Sequence, residues 1–156
     1  MTNNRRAVFL DHPSLDQGDL DLSGLRETFS DLQLCEQTSA DQVVERLQGA
    51  QVAISNKILI NARTMAACPD LKLILIAATG TNNVDLAAAR AQGITVSNCQ
   101  GYGTPSVAQH TIMLLLNLAT RLKDYQKAVS AGRWQQAKQF CLLDYPIVEL
   151  QGKTLG

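Results

Sequence analysis

The chain has 156 residues, 46% of them hydrophobic, which is enough for one or two domains with a buried core. Fourteen basic residues balance fourteen acidic ones, so charge provides no attraction for nucleic acid or for an anionic membrane. No segment resembles a signal peptide or a membrane-spanning helix, and the four cysteines form no Cys-x-x-Cys pair that would indicate a metal or dithiol site. We therefore expect a cytoplasmic protein with no nucleic-acid, membrane or metal partner.

Strand patterns alternate with short helical patterns through the first hundred residues. A helical spacing of apolar residues follows the first strand, and the next three helices are predicted to begin at a capping box at residues 39–42, at Asn61 and at Asp85. The five predicted strands lie at residues 5–11, 32–36, 52–55, 71–78 and from 94. Such an order predicts an α/β protein with a flavodoxin-like, doubly wound parallel sheet.

A glycine-containing turn, Thr79-Gly80-Thr81, follows the most apolar of these strands. In open α/β sheets ligands bind at the carboxyl ends of the strands, where this turn is expected to lie. Successive backbone N–H groups exposed by such a turn can bind a carboxylate without a charged side chain. An ordinary connection between a strand and a helix has the same composition, so the residues alone leave both interpretations open.

The pattern changes to helices after residue 103. Thr104 is expected to cap a long helix that has Pro105 at its first position, carries a wide apolar surface that should be buried, and ends near residue 122. A second helix is predicted at residues 124–131 and ends at Gly132. Residues 133–150 form an apolar arm without periodicity, which we expect to pack on its own chain or on a second subunit. Residues 151–156 are typical of the beginning of another strand.

Several short motifs do not meet the requirements of the sites that they suggest. The Gly-Lys-Thr at 152–154 has Ile147 where a phosphate-binding loop needs a glycine, and the glycines at 101–103 are followed by Ser106 where a dinucleotide fingerprint needs glycine or alanine. His12 and His110 have no evident carboxylate partner nearby in the sequence. We interpret both histidines as structural, because a general base is recognised by its partners as well as by its type.

Three segments together resemble the D-isomer-specific 2-hydroxyacid dehydrogenases, and within them the bacterial glycerate dehydrogenases, also called hydroxypyruvate reductases. They are ATGTNNVD at 78–85, GITVSN at 93–98 and GYGTPSVAQHT at 101–111. The segments at 55–57, 132–134 and 149–156 are similar to the same subgroup. Asn82 and Gln109 depart from the wider family, where aspartate and glutamate are common, but both suit the glycerate dehydrogenase branch.

The resemblance implies a division of the chain into two parts. Residues 1–103 would be the substrate-binding, or catalytic, domain, and residues 104–156 would be a crossover helix, a dimerisation arm and the first helices of an incomplete Rossmann domain for NAD or NADP. It further implies a homodimer formed through residues 105–150. By position in the family motifs, the substrate side would be lined by Asn56, Lys57, Thr79 and Gly80, and the nicotinamide side by Thr104, Val107 and Thr111.

The implied activity is the NAD(P)-dependent interconversion of a small D-2-hydroxy acid and its 2-oxo acid, of the glycerate/hydroxypyruvate or glyoxylate type. The family's catalytic arginine, glutamate and histidine, and its Gly-x-Gly-x-x-Gly loop, are expected beyond Gly156, so we expect the 156 residues alone to be inactive. The alternative is a non-catalytic small-molecule-binding or interaction module on the same scaffold. A chain adapted to act alone should be monodisperse, whereas a fragment should self-associate through its long apolar helix.

Overall fold

The predicted five-stranded parallel sheet is present in the computed structural model, which describes residues 5–156. The strand order β2-β1-β3-β4-β5 is that of flavodoxin-like sheets, so the predicted fold class is confirmed. The strands are β1 (Arg6–Phe9), β2 (Asp31–Leu34), β3 (Val52–Ser55), β4 (Leu73–Ile76) and β5 (Thr95–Asn98). The helices between them are α1 (Ser23–Thr28), α2 (Val43–Leu47), α3 (Ala62–Ala67) and α4 (Leu86–Ala91), and a 3₁₀ turn at His12–Ser14 follows β1.

Apolar clusters cover both faces of the sheet, which explains why its inner strands are apolar at nearly every position. All four residues of β3 are buried, because this strand lies between β1 and β4. Ala53, Ile74 and Ile76 belong to the larger cluster. Val52 and Ile54 point the other way, into the smaller cluster. The core of this part of the chain is therefore two-sided.

Of the three helix caps predicted within the first hundred residues, two are confirmed. The side chains of Asn61 and Asp85 each accept a hydrogen bond of 2.9 Å from the backbone N–H three residues later. The predicted capping box is only half formed, since Gln42 accepts from the Ser39 N–H but α2 begins at Val43 without a side-chain cap. The Ser39 hydroxyl bonds to Asp41 instead and lowers the pKa of that carboxyl. A local side-chain contact has thus replaced the cap.

The chain divides into two compact units, Met1–Gly101 and Tyr102–Gly156, whereas the sequence predicts a boundary after residue 103. The second unit contains α5 (Thr104–Thr120), α6 (Leu122–Ser130) and α7 (Arg133–Gln136). Gly103, not Thr104, is the cap of α5, because the Gly103 carbonyl already accepts a hydrogen bond from the Val107 N–H. The helix ends two residues before the predicted position because Arg121 adopts a left-handed conformation, with φ of 55°.

The predicted arm is ordered by contacts within its own unit and includes the single turn α7, which the sequence analysis did not predict. The Tyr125 hydroxyl donates to the Tyr145 carbonyl at 2.8 Å, and the two rings meet edge to face. Nearer its end, the Val148 N–H donates to the Ala119 carbonyl at 2.8 Å. Residues 151–156 form a turn and coil instead of the predicted strand, because a strand needs a neighbour and all strands of the described residues belong to the sheet of the first unit.

The apolar surface of α5 is mostly exposed, contrary to the expectation that it is buried. Val107 is 65% exposed and Leu118 is 76% exposed, whereas Leu115 is half-buried and Ala119 is buried. The apolar side chains of this helix project from all its sides, so one neighbouring segment cannot cover them all.

None of the helices at residues 5–156 is long and apolar enough to cross a membrane.

Candidate functional site

The turns that follow β3 and β4 hold the four residues predicted for the substrate side. Because the two strands are parallel and adjacent, both turns lie at the carboxyl edge of the sheet. The Asn83 side chain of the second turn donates to the Ile58 carbonyl of the first at 3.2 Å, which links them directly. The structure therefore brings the predicted pairs 56–57 and 79–80 to one edge of the first unit.

In the turn after β3, the side chains of Asn56 and Lys57 have different surroundings. Asn56 is 8% exposed, and its amide donates to the Ser14 hydroxyl oxygen at 3.0 Å. The Lys57 side chain is exposed, and its ammonium has no acidic partner among the residues that the structure describes. Lys57 is therefore available to an anionic ligand, whereas the Asn56 amide is already engaged.

A cavity of about 510 Å³ opens beside Lys57. It lies where the loops after β1, β2 and β3 meet, at the point where the strand order reverses, which is the usual ligand position in sheets of this order. The lining residues are Asp11, Pro13, Ser14, Glu36, Gln37, Thr38, Ser39, Lys57 and Ile58.

The turn after β4 presents free backbone donors. Thr79 and Gly80 are exposed, and the N–H groups of Thr79, Gly80 and Thr81 donate to no group within residues 5–156. The Asn98 side chain, at the end of β5, donates to the Thr79 carbonyl at 2.7 Å and holds this peptide in place. Successive free N–H groups of this kind suit a carboxylate, because each can make a charge-assisted hydrogen bond.

The residues predicted for the cofactor side lie on α5, in the second unit. Thr104, Val107 and Thr111 are all exposed, and their spacing of three and four residues places them on one face of the helix. The Thr111 hydroxyl donates to the Val107 carbonyl at 2.8 Å. This face presents methyl groups together with hydroxyl oxygens.

Residues 8–148 match the model of the catalytic domain of the D-isomer specific 2-hydroxyacid dehydrogenases. The chain belongs to this family. A glycerate dehydrogenase from Methylorubrum extorquens is 43% identical over 97% of this chain and 48% of its own length. A hydroxypyruvate reductase from Blautia hydrogenotrophica is 34% identical over the same shares. The chain thus spans about half the length of the curated relatives that it matches.

A solved structure of a reductase has the same fold as this chain. The NADPH-dependent glyoxylate/hydroxypyruvate reductase of Sinorhizobium meliloti, in complex with citrate, superposes with a TM-score of 0.69 and is 26% identical. The superposition covers 96% of this chain and 45% of that one. The resemblance noted in the sequence to the 2-hydroxyacid dehydrogenase family is therefore confirmed.

Two residues that hold the turns in place are not among the predicted site residues. Asp11, which follows β1, bonds the turn after β3, and Asn98 bonds the turn after β4. Each lies in a segment that the sequence predicts as a strand, and this prediction gives its side chain no role in the site. The available signal was their position, since both are polar residues at the carboxyl end of a strand, where loops of neighbouring strands converge.

The expectation that His12 lacks a carboxylate partner is wrong. Its Nε2 atom lies 2.8 Å from Asp16 Oδ2, because the 3₁₀ turn brings residue 16 back towards residue 12. This contact does not have the geometry of a hydrogen bond. The imidazole also packs edge to face on Phe9. No cluster of His, Cys, Asp and Glu at residues 5–156 has the arrangement of a metal site.

Asp16 makes the stability of this loop dependent on pH. The backbone N–H of Leu20 lowers the pKa of its carboxyl most; those of Gly18 and Asp19 and the nearby His12 also lower it, against the opposing effect of burial. Since the folded pKa lies below the unfolded one, the stabilisation is complete above the unfolded value and is lost as the pH falls through the folded value. We expect the free energy of unfolding of the wild type, measured in urea from about pH 6 to about pH 2, to fall more steeply than that of Asp16→Asn.

The matched control is Asp70→Asn, which removes an exposed carboxylate that makes no hydrogen bond or ion pair with the described residues. It should keep the pH dependence of the wild type. Equal slopes for the wild type and Asp16→Asn would show that the Asp16 carboxylate does not stabilise the loop.

Proposed function

We propose that this chain is the substrate-binding part of an NAD(P)-dependent dehydrogenase that interconverts a small D-2-hydroxy acid and its 2-oxo acid. The observation that carries the proposal is the row of free N–H groups at residues 79–81, at the carboxyl end of β4. The names of the relatives favour a substrate of the glycerate/hydroxypyruvate or glyoxylate type.

In this proposal the first unit binds the anionic end of the substrate. The N–H groups of the turn after β4 donate to the carboxylate, and the Asn98 side chain keeps that turn in position. The Lys57 ammonium attracts the acid to this edge of the sheet, since it has no carboxylate of its own within the described chain. Fixing the carboxylate limits the orientations open to the neighbouring carbonyl, which favours a subsequent hydride transfer.

In the proposal, the exposed face of α5 would contact the nicotinamide end of the cofactor, because Thr104, Val107 and Thr111 offer apolar contact and hydroxyl oxygens side by side. When bound, the cofactor supplies the hydride that reduces the carbonyl carbon. In the proposal, residues 1–103 form the substrate-binding domain and residues 104–156 belong to the cofactor domain. The exposed apolar side chains of residues 105–150 support a homodimer formed through this region. We further propose that the protein acts in the cytoplasm.

The test is a titration of the ¹⁵N-labelled chain with hydroxypyruvate, followed by NMR. We expect the amide signals of residues 79–81 to shift and saturate. Dihydroxyacetone, which has a hydroxymethyl group in place of the carboxylate, is the matched control and should leave these signals unchanged. Unmoved signals with hydroxypyruvate would contradict the proposal, and equal shifts with both compounds would favour the non-catalytic binding module.

We also propose that residues 1–156 alone do not catalyse the reaction, because the resemblance places the catalytic arginine, glutamate and histidine beyond Gly156. The purified chain should then leave NADH and NADPH unoxidised when hydroxypyruvate or glyoxylate is added, even though it binds the acid. Oxidation of either cofactor, followed by the loss of absorbance of its reduced nicotinamide, would refute this part of the proposal.

A further inference from the structure

Asp11 carries a buried carboxylate that the proposed reaction does not use. The residue is 6% exposed and lies just after β1. Its Oδ1 atom accepts a hydrogen bond from the Asn56 N–H at 2.9 Å, and its Oδ2 atom accepts from the Lys57 N–H at 2.7 Å. A weaker bond of 3.2 Å joins Oδ2 to the Asn56 N–H. One carboxylate therefore binds the peptide N–H groups of two successive residues in the turn after β3, Asn56 and Lys57.

These bonds explain how the charge of Asp11 is accommodated. A buried carboxylate is unfavourable unless hydrogen bonds compensate for the lost water, and here two backbone donors do so. Asp11 itself is held from the other side, since the next residue back, Leu10, donates its N–H to the Ile54 carbonyl of β3 at 2.9 Å. The ends of β1 and β3 are thus joined by both backbone and side-chain bonds.

The consequence concerns the Lys57 ammonium. Asp11 and Lys57 both line the cavity beside the turn, yet no ion pair forms between them within the described chain. The carboxylate binds the Lys57 backbone and leaves its side chain free. A carboxylate placed to neutralise the lysine would contact the ammonium, whereas this one orients the peptide from which the ammonium extends.

We propose that Asp11 is a positioning residue, which fixes the turn after β3 so that the Lys57 ammonium meets an anionic 2-oxo acid. This inference rests on the proposed function, because it needs an anion at this edge of the sheet. It assigns Asp11 no contact with the substrate. Its effect on binding passes through Lys57, and this dependence is what separates positioning from general stabilisation.

The test uses the whole chain with Asp11→Asn and Lys57→Gln, singly and together. Asp11→Asn keeps the shape of the side chain but places an NH₂ group opposite a backbone N–H. We expect it to weaken hydroxypyruvate binding, measured by the NMR titration, by about tenfold or more, the scale on which misplaced binding groups act. Lys57→Gln should have a similar effect, and the double variant should bind no more weakly than either single variant.

Asp85→Asn is the matched control, because it makes the same chemical change at a carboxylate that caps α4 with one hydrogen bond, where asparagine caps equally well. It should bind like the wild type. Faster hydrogen exchange of the Lys57 amide in Asp11→Asn, with unchanged exchange in β3 and β4, would show that the loss is confined to the turn. If Asp11→Asn does not fold, Asp11→Ser replaces it in the same comparison of single and double variants. The serine hydroxyl can accept a hydrogen bond from one of the two N–H groups.

The outcomes separate the two proposals. If the wild type binds hydroxypyruvate and Asp11→Asn binds it equally well, the role of Asp11 is overturned but the proposed function is not. Losses that add up in the double variant would overturn this role too, because Asp11 would then act independently of Lys57. A wild-type chain that binds no hydroxypyruvate would overturn the proposed function and the inference that rests on it.

Discussion

Replacing Gly80 by alanine is expected to weaken hydroxypyruvate binding by about ten- to a hundredfold, because the new methyl group lies at the row of N–H groups proposed to hold the carboxylate. A Cβ atom at this position would be 3.1 Å from Asn82 Oδ1, so the exposed Asn82 side chain must also move. Gly80 does not have a positive φ, so the backbone itself tolerates alanine. The titration followed at the amides of residues 79–81 measures the loss.

Gly24→Ala is the matched control for this prediction. Gly24 lies in α1, and a Cβ atom there would meet nothing within 4 Å. This variant should keep the affinity of the wild type and raise the stability of the helix slightly, by about 0.5–1 kcal/mol. If Gly80→Ala bound as tightly as Gly24→Ala, the turn after β4 would not be the carboxylate site.

The largest expected loss of stability follows from Ile74→Ala, at about 2–5 kcal/mol in the free energy of unfolding. Ile74 is fully buried in β4, opposite Ala53 of β3 and Val96 of β5, within the larger apolar cluster. Truncating it removes buried apolar contacts and leaves a cavity that the two neighbouring strands cannot close. Urea unfolding followed by the NMR signals of β3 and β4 measures the stability of the sheet separately from that of the second unit.

Leu59→Ala provides the comparison, because Leu59 is an apolar side chain of similar size that is 57% exposed. It should change the free energy of unfolding by no more than about 0.5 kcal/mol. A loss for Ile74→Ala as small as that for Leu59→Ala would contradict the packing of β4 at the centre of the core.

Features that depend on neighbours in the sequence were predictable. The bounds of β3 agree with the predicted residues 52–55, because a short apolar run between turn residues has few alternatives. The caps at Asn61 and Asp85 were also predicted, since each side chain binds an N–H only three residues away. Alternating strands and helices then left the parallel, doubly wound sheet as the favoured arrangement.

The predictions of helix caps and local contacts were wrong where one local interaction competes with another. The Ser39 hydroxyl could cap α2 or bond to Asp41, and the pattern of residues does not decide between the two. In the same way, Thr104 suits a cap, but the helix already begins with a hydrogen bond to the Gly103 carbonyl. The contact between His12 and Asp16 was not predicted, because it depends on the unpredicted 3₁₀ turn at His12–Ser14.

For the candidate site, the sequence by itself determined which turns hold the family's motif residues, and the tertiary structure decided how those turns are held. Asp11 binds backbone groups 45 and 46 residues further along the chain, and Asn98 binds the Thr79 carbonyl 19 residues before it. Such partners depend on the order and register of the strands, which bring distant strand ends together. Periodicity and capping signals report only on residues within a few positions of one another, so they identify the turn that presents Lys57 but not the carboxylate that supports it.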